Sequence, residues 1–135
     1  MDTQSVSMRT KLESYRASCG GNLANCPVRE VMANLSGKWA SLLLLLLAEQ
    51  PLRFGELRRL VPDISQRMLT QTLRDLQRDG YVRREVFPTT PPSVEYSLTD
   101  LGRSMFEPLR GLLQWAEGNH TAVRTARTSY DELVR

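Results

Sequence analysis

The chain has 135 residues, 41% apolar and 24% charged, with a net charge of +3 and two cysteines. That length holds one domain with its own core but not two, and the balance is that of an ordinary soluble protein. Two cysteines make no disulfide scaffold, and with the single His120 they cannot complete a four-ligand zinc site within one chain, so neither metal nor cofactor is expected. No secretory signal pattern opens the chain. The longest apolar run, the six leucines Leu42 to Leu47, is far short of the roughly 20 residues that span a bilayer. A cytoplasmic protein with no membrane contact is the expectation.

In chain order, residues 1–25 are polar, with a weak helical pattern in Met8, Leu12 and Tyr15 that Gly20-Gly21 ends, and they are expected to form an arm. Cys26-Pro27 opens a helix, because proline is favoured at the first helical position. Val28, Val31, Met32 and Leu35 give this helix an apolar face, and Gly37 breaks it. Lys38 to Glu49 is expected to be a helix buried on most sides, the core spine. Pro51 ends it, leaving Leu52-Arg53 as one short edge of a sheet. Phe54, Leu57, Leu60 and Val61 fall at helical spacing, and Pro62-Asp63 turns the chain into a further helix over Ile64 to Gly80.

In that helix Leu69, Leu73 and Leu76 form the inner stripe, while Arg67, Gln71, Arg74 and Arg78 point the other way with Thr70 on the flank. Ser65 fits an N-cap and Gly80 a C-terminal stop. From Arg53 to Arg84 there are eight arginines against four acids, so the basic character is concentrated around this helix. Helix, tight turn, helix with a polar outer face is the arrangement of helix-turn-helix DNA readers. Tyr81 to Phe87 and Val94 to Leu98 alternate with period two across a proline-rich turn, which predicts a β-hairpin, in this position a wing. A last helix is predicted from the N-cap Thr99 to about Gly118, bent at Pro108, with a stripe of Leu101, Met105, Leu109, Leu112 and Ala116 that calls for a partner helix. Residues 119–135 are expected to be a tail or a weak helix. The domain therefore spans residues 26–118, mainly α with a small β-hairpin wing.

Several blocks in this order resemble the HxlR family of bacterial winged helix-turn-helix regulators, relatives of the MarR group. They are Cys26-Pro27-Val28, Gly37-Lys38-Trp39, Arg53-Phe54-Gly55-Glu56-Leu57, Ile64 to Thr70, Asp79-Gly80-Tyr81-Val82, Pro92 to Thr99, and Gly102. The resemblance covers about two thirds of the chain, Cys26 to Trp115. It implies a homodimer packed through terminal helices that binds a double-stranded, pseudo-palindromic operator and is expected to act as a repressor. Many members carry a basic residue where Ser93 stands and an arginine where Thr72 stands, so fewer phosphate contacts are expected here at those two places.

The DNA-contacting residues expected are Ser65, Gln66, Arg67, Thr70, Gln71, Arg74 and Arg78, flanked by Arg53, Arg83 and Arg84. Arg83 and Arg84 can equally be sheet-surface charges, and Arg53 and Arg58 either hold phosphates or pair with Glu49 or Glu56. Cys26 has two readings. Next to a helix N-terminus a thiol is pushed towards the reactive thiolate, and the resemblance implies sensing of an oxidant or small electrophile at this position, with Cys19 as a resolving thiol. Alternatively Cys26 is a small buried hydrophobe, and control would then lie in a ligand pocket near Trp39, Phe106 and Trp115, or those aromatics are simply core. A winged helix that binds protein instead of DNA is a further alternative, because a fold alone does not entail its function. An enzyme is not expected, since the chain has no Gly-rich phosphate loop and no carboxylate pair placeable in a cleft.

Overall fold

The six-leucine run lies at the centre of the molecule. In the computed structural model, which describes residues 7–18, 27–35 and 37–135, α3 (Ala40–Leu47) buries Ala40, Leu43, Leu44 and Leu47. Its neighbours on different sides are α2 (Pro27–Leu35), α5 (Gln66–Arg78), β3 (Ser93–Leu98) and α7 (Phe106–Leu133). Burial on most sides follows from packing against these elements, and Leu42 is the most open of the six leucines at 38% exposed. The polar segment near the start holds α1 (Met8–Ser18), the weak helical pattern realised.

Pro51 separates α3 from β1 (Leu52–Arg53), which leads directly into α4 (Phe54–Leu60). The Glu56 carboxylate accepts the Arg53 N–H at 2.9 Å, satisfying a donor at the start of α4. Residues 61–65 make the turn, with Val61 and Ile64 buried beneath it and the Ile64 N–H donating to the Val61 carbonyl. The α5 helix starts where expected, because the Ser65 hydroxyl accepts the Met68 N–H at 3.0 Å. It ends in a Schellman motif: the Gly80 N–H donates to the Gln77 carbonyl and the Tyr81 N–H to the Leu76 carbonyl. The motif requires a left-handed residue, and Gly80 supplies it with φ of 84°.

β2 (Val82–Phe87) and β3 form the hairpin, and β1 pairs on the far side of β3, giving the antiparallel order β1-β3-β2. In this register Val82 faces Leu98 and Leu52 faces Tyr96, all four buried on the core side. Arg53 and Arg83 face Glu95 and Ser97 on the opposite side.

The last predicted helix differs from expectation. It is divided into α6 (Asp100–Ser104) and α7, with the break at Met105 and not at Pro108. A proline ring clashes with the carbonyl four residues earlier, here that of Ser104, so the helix is interrupted upstream and Pro108 sits in the first turn of α7, where its missing N–H has no role. Beyond Gly118 the chain is helical, the second of the two expected alternatives, and continues the preceding helix. α7 runs unbroken to Leu133. A single glycine costs a helix only about 1 kcal/mol, and no proline follows to stop it. No helix among the described residues is long and apolar enough to cross a membrane.

Candidate nucleic-acid interface

Helix α5 is anchored by one face and open on the other. Leu69, Leu73 and Leu76 are each 2% exposed or less, against the core beside α3 and the sheet. Ser65, Gln66, Arg67, Thr70, Gln71, Arg74 and Arg78 are all exposed, and helical spacing puts Arg67, Gln71, Arg74 and Arg78 on the face opposite the buried leucines. A merely salt-bridged surface helix would pair its arginines with carboxylates. Among the described residues the ion pairs are Arg103–Asp100 at 3.5 Å and Arg110–Glu107 at 3.6 Å, both on α6 and α7. Arg67, Arg74 and Arg78 therefore present guanidinium groups that form no ion pair among the described residues.

Several neighbours on this surface are engaged. Thr70 donates its hydroxyl to the Gln66 carbonyl at 2.9 Å, a back-bond within the helix that still leaves the oxygen free to accept. Gln71 Nε2 donates to Asp75 Oδ1 at 2.9 Å, and Arg58 Nη1 donates to Gln66 Oε1 at 3.4 Å. Arg58 thus bonds a residue of the reading helix, and pairs with neither Glu49 nor Glu56. The i, i+4 spacing of Gln71 and Asp75 was the signal that the two side chains meet.

The flanking arginines divide. Arg53 is exposed beside the start of α4 and lies opposite Glu95 in the sheet. Arg83 and Arg84 are adjacent on β2, so their side chains leave opposite faces of the hairpin and cannot serve one groove wall together. The wing tip, residues 88–92, carries no charge, and the Thr89 hydroxyl donates to the Pro91 carbonyl at 2.7 Å. Ser93, at the first position of β3, adds none.

The predicted dimer stripe is not one continuous face. Leu101 lies on α6 and is 53% exposed, whereas Leu109 is 7% exposed because it packs into the chain's own core. Met105 is half-buried at the break. Leu112 and Ala116 remain open, together with Leu113 and Trp115. Neither Phe106 nor Trp115 lines the cavity that Trp39 borders. Trp39, with Lys38 Nζ 4.9 Å above its ring, lines this cavity of about 390 Å³ against the inner flank of α5, near Met68 and Thr72. Cys19 and Cys26 lie outside the described residues.

The HxlR-like helix-turn-helix family matches residues 34–124. A helix-turn-helix transcriptional regulator of Methanothermobacter thermautotrophicus is 45% identical over 97 residues, which is 70% of this chain and 74% of that one. The redox regulator HypR in its reduced form has a similar structure, with a TM-score of 0.70 at 40% identity over 73% of this chain and 98% of that one. The putative transcriptional regulator YtfH of Salmonella typhimurium gives a TM-score of 0.69 at 38% identity, covering 77% and 93%. A winged hairpin behind an anchored, arginine-faced α5, on a chain of this similarity, identifies the protein as a transcriptional regulator of the HxlR-like helix-turn-helix family.

Proposed function

We propose that this regulator binds a pseudo-palindromic operator as a homodimer, placing the outward face of α5 in the major groove, and that it represses transcription there. The observation that carries this reading is the set of guanidinium groups on Arg67, Arg74 and Arg78, outside every ion pair among the described residues, on a helix fixed from behind by three buried leucines. Arginine pairs bidentately with guanine or holds phosphate, and glutamine pairs with adenine. In a two-fold dimer the two copies of α5 would lie roughly 34 to 36 Å apart, one turn of B-DNA. A protein-docking surface would carry apolar groups or acids in place of these arginines, which favours DNA as the partner.

The proposed control is a thiol switch at Cys26, responsive to an oxidant or small electrophile, with Cys19 as its resolving partner. Support comes from the sequence, in which Cys26 immediately precedes Pro27, the first residue of α2, and a helix N-terminus favours an anionic sulfur. It comes also from the similarity to HypR, a redox regulator with reduced and oxidised forms. A gel shift on DNA from upstream of the protein's own gene, with and without diamide, tests both halves. The wild type should retard that DNA and release it on oxidation, and Cys26→Ser should bind but ignore diamide. No retardation at low salt would defeat the operator reading. Retardation equally indifferent to oxidant in both proteins would defeat the switch alone.

A further inference from the structure

We propose that Asp75 is a positioning residue for base readout: its carboxylate holds the Gln71 amide in the orientation that reads adenine, while Gln66, whose oxygen accepts from Arg58, is oriented differently. The proposal rests on the reading of α5 as the DNA-contacting helix. It assigns unlike roles to two glutamines five positions apart.

The chemistry of the partners settles which end of each amide points where. A carboxylate only accepts, so the group of Gln71 facing Asp75 Oδ1 at 2.9 Å is Nε2. A guanidinium only donates, so the group of Gln66 facing Arg58 Nη1 at 3.4 Å is Oε1. An exposed glutamine without such a partner turns its amide freely and presents either edge to a base. Reading adenine in the major groove needs an acceptor towards its N6 amine and a donor towards N7. In the proposed arrangement the Nε2 hydrogen trans to Oε1 is the one directed at Asp75, and the other hydrogen and Oε1 then lie side by side on the free edge, which is that pair. Gln66, whose Oε1 faces Arg58, has both Nε2 hydrogens for acceptors such as guanine, the O4 of thymine or a phosphate.

The charge on Asp75 sharpens the argument. A carboxylate at the margin of a DNA-facing helix is repelled by phosphate and weakens binding to every sequence. Its hydrogen bond to Gln71 gives it an effect that depends on sequence.

The test selects bound DNA from a randomised library with the full chain, comparing wild type, Gln71→Ala, Asp75→Ala, Asp75→Asn and the double alanine variant. The wild type should enrich an adenine at one position per half-site, and Gln71→Ala should lose that preference. Asp75→Ala should weaken it about tenfold at the same position and no other, the discrimination expected of one bidentate contact. Asp75→Asn keeps an acceptor carbonyl and should retain most of it, and the double variant should be no worse than Gln71→Ala. Because both residues are exposed, thermal melting should not move. A preference undiminished in Asp75→Ala, or reduced equally at all positions, overturns the pairing while leaving α5 as the reader. Enrichment of no sequence by the wild type overturns both.

Discussion

Arg74 stands in the middle of the open face of α5, exposed and without a carboxylate partner, so its contribution to the fold is small and its contribution to DNA binding should be large. Arg74→Ala is expected to weaken operator binding about tenfold at moderate salt, the loss of one good base or phosphate contact, with the melting temperature unchanged. Fluorescence anisotropy on a labelled operator, paired with a melting curve, checks both. Tyr81 shows the opposite balance. It is 7% exposed, and burial first, then the neighbouring Asp79 carboxylate, raise its hydroxyl above the ordinary value of 10.0. The folded chain therefore keeps the phenol proton to higher pH than the unfolded chain does. Its contribution is fully present below pH 10 and is lost as pH climbs through the raised value. Melting temperatures taken across that range should fall for the wild type and fall less steeply for Tyr81→Phe. Parallel curves would deny Tyr81 this role.

The two ends of α5 show what is readable from local sequence. Ser65 and Gly80 are both placed correctly from residue type and position alone, because cap chemistry acts over three or four residues. Gly80→Ala should destabilise the protein by about 1 kcal/mol, since an alanine is strained at a φ of 84° while its Cβ would meet only the end of Leu101 at 3.5 Å. Chemical denaturation measures this directly, and an unchanged midpoint would mean that the motif rearranges freely. The inner leucine stripe, the hairpin and the short β1 were equally legible, each being a periodicity of 3.6 or 2 over a few residues. Legibility failed where the cause is non-local. Leu109 reads as part of an interface stripe by spacing, yet α3 covers it, and only the path of the chain decides that. The break at Met105 is caused by a proline three positions later, and the persistence of α7 past Gly118 by the lack of any later breaker. The hydrogen bond from Arg58 to Gln66 crosses the turn between two helices, a relation no single-helix projection contains.

At the scale of the whole molecule the open question is which surface pairs in the proposed dimer. Leu112, 61% exposed, lies with Leu113 and Trp115 on α7 just beyond the part docked on α3, and single exposed residues of this size need no partner but a contiguous group does. Leu112→Glu should convert a dimer to monomer in light scattering and lower affinity for a two-half-site operator by roughly a hundredfold or more, because the second half-site then loses its tethered reader. A monomeric wild type would refute the dimer outright. The junction between α5 and α6 bears on how such a dimer would move. The Thr99 N–H donates to the Tyr81 carbonyl, its hydroxyl to the Gly80 carbonyl, and the Gly102 N–H returns to that hydroxyl. Gly102 packs so closely on the Tyr81 carbonyl that no Cβ fits between them. The end of the reading helix and the root of the C-terminal helices are thus joined without slack, like two arms of one bell crank. In the proposed dimer, a Gly102→Ala substitution, whose Cβ would collide with the Tyr81 carbonyl, should therefore disturb the end of α5 as well as α6.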